Sequence, residues 1–328
     1  MKPLEKMNIV VLDGYSLNPG DLSWKKIEVL GNCKIYVRTP PNKIIPRSRY
    51  ADILLTNKTV LDSSILSRLP RLKYICVLAT GYDVVDTVFA GQKNVPVSNI
   101  PTYSTESVSQ MVFALILELT NHVGDHSRRV LNGEWSACKD FCFWNHPLVE
   151  LDGQTLGIVG YGKIAKSVIK KALSFGMRPL VFTRTVPNQK NTSVHFCTLE
   201  ELLQKSDIIS LHCPLNDQTE KIIAEKQLKL MKKTAFLINT GRGRLLDEKA
   251  LARALNQDKI AGAAVDVLSQ EPPEKTNPLL TAKNCFITPH IAWATVAARK
   301  RLLGIAADNI KGFLSCQKIN IVNSDLLP

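Results

Sequence analysis

No apolar run in this 328-residue chain approaches the roughly 20 residues that a bilayer-spanning helix needs. Residues 1–13 hold too short an apolar stretch for a secretory signal and read as the approach to a first β-strand, so the expected location is the cytoplasm. The eight cysteines form no Cys-x-x-Cys pair, which argues against a zinc ribbon and a thioredoxin-type redox motif. They read as reduced, structural thiols, with Cys76, Cys213 and Cys285 inside apolar strands. There is no internal repeat, low-complexity segment or Gly/Ser linker. His122 and His126 have the i,i+4 spacing of a helical metal pair but lack the intervening Glu of a zinc hydrolase. They are read as polar residues on a helix surface, and no metal is expected. Acidic residues are the minority, 29 against 42 basic ones. The resulting charge of +13 is dispersed, as in the doublets Arg128-Arg129 and Lys232-Lys233, and no basic run carries interleaved aromatics. The excess therefore suits a small anionic substrate better than nucleic acid.

What is present is alternation. Short β-rich runs at 8–12, 53–55, 74–78, 156–159, 208–211, 235–238, 262–267 and 284–288 are separated by helical stretches. This pattern predicts an α/β protein with parallel sheets covered on both faces. Residues 107–119 are apolar almost all round, as a helix buried between layers should be. An irregular, aromatic-rich stretch follows at 133–146, and a fresh βαβ unit begins after it. Two doubly wound, Rossmann-like domains are predicted, one inserted in the other: 1–101 plus 291–328 for substrate, and 102–290 for a dinucleotide. An amphipathic helix at 296–314 is expected to pack back on the N-terminal domain. The aromatic stretch is read as the arm of a homodimer, with an intrachain lid as the alternative.

A strand of branched residues runs into Gly160-Tyr161-Gly162-Lys163-Ile164-Ala165. Gly160 suits the tight turn, Gly162 lets backbone approach a pyrophosphate, and Ala165 lets helix pack on strand. The helix opening at Lys163 and Ile164 would turn its N–H groups and positive dipole end toward phosphate. The following strand ends at Thr183, where an NAD enzyme normally carries an acid for the adenosine ribose, and Arg184 comes next. An absent carboxylate and an adjacent guanidinium favour NADP over NAD.

Three further strand ends carry polar groups. Asn239-Thr240-Gly241-Arg242-Gly243 puts a guanidinium in a glycine-flanked turn. Ala263-Ala264-Val265-Asp266 ends in an acid, with Glu271 five residues on. Ile287-Thr288-Pro289-His290 ends in a histidine. Open α/β sheets bind ligands outside the carboxyl ends of their strands, which is where all three lie.

Together with Val265-Asp266-Val267-Leu268-Ser269-Gln270-Glu271-Pro272 and Thr288-Pro289-His290-Ile291-Ala292-Trp293, these motifs follow in one order. In that order the chain resembles the D-isomer-specific 2-hydroxyacid dehydrogenase family from about residue 8 to 314. The segments 74–83, 100–105 and 141–144 bring it nearest to the glycerate dehydrogenase/hydroxypyruvate reductase branch. The resemblance implies an NAD(P)-dependent oxidoreductase in which His290 exchanges a proton with the substrate oxygen. It implies that Glu271 orients the imidazole and that Arg242 holds the substrate carboxylate. The backbone of Ala79, Thr80 and Gly81 would complete the carboxylate cradle. Thr240 and Gly241 would border the cofactor, and Asp266 would receive its carboxamide. Other readings stay open: a glyoxylate or other 2-ketoacid reductase on the same scaffold, and a nucleotide-sensing, corepressor-like binding protein.

Overall fold

The computed structural model describes residues 6–187 and 193–327, so the first five residues of the 1–13 approach segment lie outside the described residues. The chain divides into two compact units, Met1–Ser104 with Ala294–Pro328, and Thr105–Trp293.

The first unit is built on β1 (Asn8–Val11), β2 (Asn32–Ile35), β3 (Ile53–Thr56), β4 (Tyr74–Val77) and β5 (Val97–Ser98), in the order β2-β1-β3-β4-β5. All four pairings are parallel. β3 and β4 are buried along their whole length, as parallel strands covered on both faces must be. The Val296–Leu314 helix belongs to this unit. Thr295 caps it by accepting from the Ala298 N–H at 3.2 Å. Phe313 stacks on Tyr74 of β4, with ring centroids 4.5 Å apart, and Arg299 makes a two-pronged ion pair with Asp21 at 2.7 and 2.6 Å. These contacts explain why the chain returns here after the second unit.

The second unit holds β6 (Thr155–Val159), β7 (Arg178–Phe182), β8 (His195–Phe196), β9 (Ile208–Leu211), β10 (Phe236–Asn239), β11 (Gly262–Val265) and β12 (Cys285–Ile287). They form one sheet in the order β12-β11-β10-β9-β6-β7-β8, again parallel at every pairing. Chain order reverses between β6 and β9, so the carboxyl edge opens a crevice there. Residues 107–119 fall in the Thr105–Asn121 helix, which buries Val112, Phe113, Ile116 and Leu119 in the core with Ile158, Val168 and Ile238.

Three strands escaped the sequence pattern. β2 alternates exposed and half-buried residues, and β5 and β8 are two residues long. Cys213 lies just beyond β9 rather than inside a strand, and all eight cysteines are free thiols. The reading of His122 as a helix-surface residue is corrected. His122 is buried, adopts a left-handed φ of 50° that ends one helix and opens the next, and stacks on His146 at 4.1 Å. Burial, then the neighbouring His146, pulls its pKa down. No helix among the described residues is long and apolar enough to cross a membrane.

Candidate active site

The glycine turn after β6 is shaped by what surrounds it. Gly160 has φ +99°, a region that L side chains avoid, and its N–H donates to the Phe182 carbonyl at 2.8 Å. A Cβ there would stand 2.7 Å from the Cys213 nitrogen and 2.8 Å from the His212 carbonyl carbon. The end of β9 is thus pressed against the turn. His212 and Cys213 border the glycine turn without standing out in the sequence, although their place at a neighbouring strand end was a usable signal. The His212 ring exchanges a hydrogen bond with Ser210 Oγ at 2.8 Å, and burial lowers its pKa to about 4.

Gly162 caps the Lys163–Ser174 helix without any side-chain hydrogen bond. A Cβ at this glycine would meet nothing within 4 Å. Ala165 is fully buried beneath the turn, whereas Lys163 is exposed and Ile164 half-buried. The first amides of the helix therefore face open space with no capping oxygen. Thr183 follows β7 half-buried, its hydroxyl donating to the Thr185 carbonyl at 3.4 Å, and Arg184 is exposed.

β10, β11 and β12 end side by side on the same edge. After β10 comes Thr240, whose Oγ1 is buried with no hydrogen-bond partner, then Gly241 and the exposed Arg242. Among the described residues Arg242 Nη1 donates only to the Gly241 carbonyl, at 2.9 Å. Gly243 then lies flat on the backbone of Leu268 and Ser269, and a Cβ on it would overlap the Leu268 carbonyl carbon. The Leu268 N–H donates to Glu271 Oε1 at 3.0 Å, while Glu271 Oε2 sits 2.6 Å from His290 Nδ1. Gly243 thereby packs the Arg242 turn on the Leu268–Ser269 backbone, whose Leu268 N–H in turn holds Glu271.

His290 and Glu271 keep about a third of their side-chain surface exposed, 31% and 34%. Their short contact occupies Nδ1, and Nε2 makes no hydrogen bond among the described residues. The backbone at His290 is left-handed, φ +55°, and its N–H donates to the Asp266 carbonyl at 2.8 Å.

Asp266 is 1% exposed. Its carboxylate accepts from Thr288 Oγ1 at 2.5 Å, the Ile291 N–H at 2.9 Å and the Ala292 N–H at 2.8 Å. Most of its acceptor capacity is thus spent on the loop that carries His290. From β6 to β12 the edge crosses four strand spacings, about 20 Å.

Ala79, Thr80 and Gly81 belong to the first unit, beyond the end of β4. The Thr80 hydroxyl donates to the Ile100 carbonyl and its own carbonyl accepts from Asn99 Nδ2, each at 2.8 Å. The N–H groups of Thr80 and Gly81 make no hydrogen bond among the described residues.

Residues 113–292 match the NAD binding domain of the D-isomer specific 2-hydroxyacid dehydrogenases. The chain belongs to that family. It is 47% identical over 321 residues to a hydroxypyruvate reductase of Blautia hydrogenotrophica, covering 97% of this chain and all of the relative. It is 38% identical over 319 residues to a glycerate dehydrogenase of Methylorubrum extorquens, covering 96% and 99%. Among solved structures it is similar to an acyclic imino acid reductase in complex with NADPH and D-Arg. The TM-score is 0.84 at 31% identity, over 96% of this chain and 100% of that one. This member of the family is an NAD(P)-dependent oxidoreductase with two Rossmann-like sheets.

Three observations bear on whether its residues fit a nicotinamide dinucleotide. They are the uncapped helix start behind Gly162, the open space over that glycine and the orphaned Thr240 hydroxyl. All three fit.

Proposed function

We propose that the chain interconverts a small 2-keto acid of the hydroxypyruvate type and the corresponding D-2-hydroxy acid. The observation that carries this is the 2.6 Å Glu271–His290 pair, held by the Leu268 N–H on the backbone against which the Arg242 turn packs at Gly243. When bound, the nicotinamide supplies the hydride. The chain's own residues do the rest. Glu271 holds Nδ1, so that Nε2 is the nitrogen that delivers a proton to the ketone oxygen, or removes one from the hydroxyl in the other direction. Arg242 binds the substrate carboxylate through a planar fork whose charge is permanent. The open amides of Thr80 and Gly81, with Ala79, are assigned to binding carboxylate as well. Gly160, Gly162, Lys163 and Ile164 hold the pyrophosphate by backbone, and Thr240 and Gly241 border the cofactor. Asp266 chiefly anchors the 288–292 loop and leaves the outer side of Oδ2 as the remaining acceptor for a carboxamide.

The test is a set of steady-state assays with hydroxypyruvate, glyoxylate and pyruvate, each with NADH and NADPH. Hydroxypyruvate should give the highest kcat/KM. A faster rate with glyoxylate moves the assignment to that reductase, and no turnover with any of the three overturns it.

We assign NADP as the preferred cofactor, because Thr183 presents no carboxylate at the end of β7 and Arg184 beside it is exposed. Thr183→Asp should therefore shift the ratio of kcat/KM values toward NADH by about tenfold or more, through like-charge repulsion of a 2′-phosphate. An unchanged ratio removes the assignment.

The arm at 133–146 is assigned to a homodimer contact. Phe141 is 89% exposed and Trp144 65%, and both stand on a stretch that also bares Trp135, with Leu148 exposed just beyond it. A cavity of about 350 Å³ opens among Val130, Trp135, Phe143 and Trp144. Apolar exposure on this scale marks an interface. Light scattering should give the mass of two chains for the wild type and of one for Phe141→Glu/Trp144→Glu; a monomeric wild type rejects the contact. Eight free thiols suit the reducing cytoplasm, to which we assign the enzyme.

A further inference from the structure

We infer that Asn239 is the residue that positions Arg242, and that an amide side chain is required there. The inference rests on the functional reading above.

Asn239 is the last residue of β10, three before Arg242, and has no exposed surface. Both ends of its amide are used on the turn it precedes. Oδ1 accepts from the Gly241 N–H at 3.0 Å, and Nδ2 donates to the Arg242 carbonyl at 2.9 Å. Its own carbonyl accepts from the Asp266 N–H at 2.9 Å. The Asp266 carbonyl in turn accepts from the His290 N–H at 2.8 Å. One buried residue therefore sits on the hydrogen-bonded route between the two strand ends that carry the chemistry.

Among the described residues the Arg242 side chain bonds only to the adjacent Gly241 carbonyl, so its direction is set by the backbone from which it departs. On its far side Gly243 is packed against the Leu268–Ser269 backbone, whereas at Gly241 on its near side even a Cβ would lie 3.3 Å from the nearest neighbour. Without a brace, the turn would sample conformations that aim the guanidinium elsewhere. The geometry asks for one donor and one acceptor about 2 Å apart on a short stem, which only an amide supplies. Aspartate keeps the acceptor but sets a buried carboxylate against the Arg242 carbonyl. Leucine fills the space and offers neither group.

The experiment is a double-mutant cycle on kcat/KM for the keto acid, at equal cofactor saturation, with Asn239→Ala and Arg242→Ala. Asn239→Ala in the wild-type background should lower kcat/KM by about tenfold or more, with KM raised as well as kcat lowered. In the Arg242→Ala background it should cost less than about twofold, because there is no guanidinium left to aim. Equal losses in both backgrounds overturn the inference, since a residue that only stabilises the fold acts in each alike. Should Asn239→Ala fail to fold, Asn239→Asp takes its place, keeping size and the Gly241 contact while losing the Arg242 one. If Arg242→Ala alone leaves kcat/KM unchanged, the functional reading falls and takes this inference with it. A large Arg242→Ala loss with additive Asn239 loss removes this inference alone.

Discussion

Replacing His290 by alanine is expected to lower kcat by about a hundred- to ten-thousandfold while the cofactor binds nearly as before, because only the group proposed to exchange the proton is lost. The structure gives reasons for both halves of that result. Among the described residues the imidazole makes one hydrogen bond, to Glu271, and the backbone N–H that fixes the residue belongs to the main chain and survives the change. The Asp266 carboxylate still gathers Thr288, Ile291 and Ala292, so the loop keeps its anchor. Glu271 still receives the Leu268 N–H, which leaves its carboxylate only partly deprived of partners. Because residue 290 has φ +55°, His290→Asn is the better second variant. Asparagine tolerates that backbone region, and its amide cannot exchange a proton. Both variants should show the same collapse in turnover, with fluorescence titrations of NADPH close to wild type. Wild-type turnover in either would show that the proton comes from another group. Loss of NADPH binding together with turnover would mean that residue 290 supports the cofactor.

Much of this site was legible because its parts stand at the ends of strands. A branched run followed by Gly160 and Gly162 announces both a turn and its position on the sheet. Arg242, Asp266 and His290 each end a run of the same kind, so parallel packing puts them on one edge. Less was readable where position depends on contacts from outside the local run. β2 pairs with β1 along an edge that leaves Asn32 and Lys34 exposed, so no apolar pattern marks it. His122 keeps the 3.6-residue spacing to His126, yet its left-handed backbone ends the preceding helix and caps the one that carries His126, and the residue is buried rather than set on a helix surface. Asn239 looked like an ordinary strand residue, because the value of its amide depends on a turn that exists only in three dimensions. The partial commitment of Asp266 was hidden for the same reason, since two of its partners are backbone amides 25 and 26 residues later.

Arg242→Lys should lower kcat/KM for the keto acid by about ten- to a hundredfold, the value of one charge-assisted hydrogen bond and the orientation it enforces. Charge is conserved in this change, so long-range attraction of an anionic substrate by a protein of net charge +13 should persist. Geometry is what changes. A guanidinium offers two parallel donors to a carboxylate, whereas an ammonium offers a point charge on a flexible stem. The bond from Nη1 to the Gly241 carbonyl, which steadies the planar group at 2.9 Å, has no equivalent in lysine. Both KM and kcat should therefore suffer: KM through the lost second hydrogen bond, and kcat because a loosely held carboxylate lets the carbonyl carbon wander from its place. If only KM rises, Arg242 is a binding residue with no hold on orientation. If neither constant moves, the substrate carboxylate is bound elsewhere, and the open amides of Thr80 and Gly81 become the first place to look.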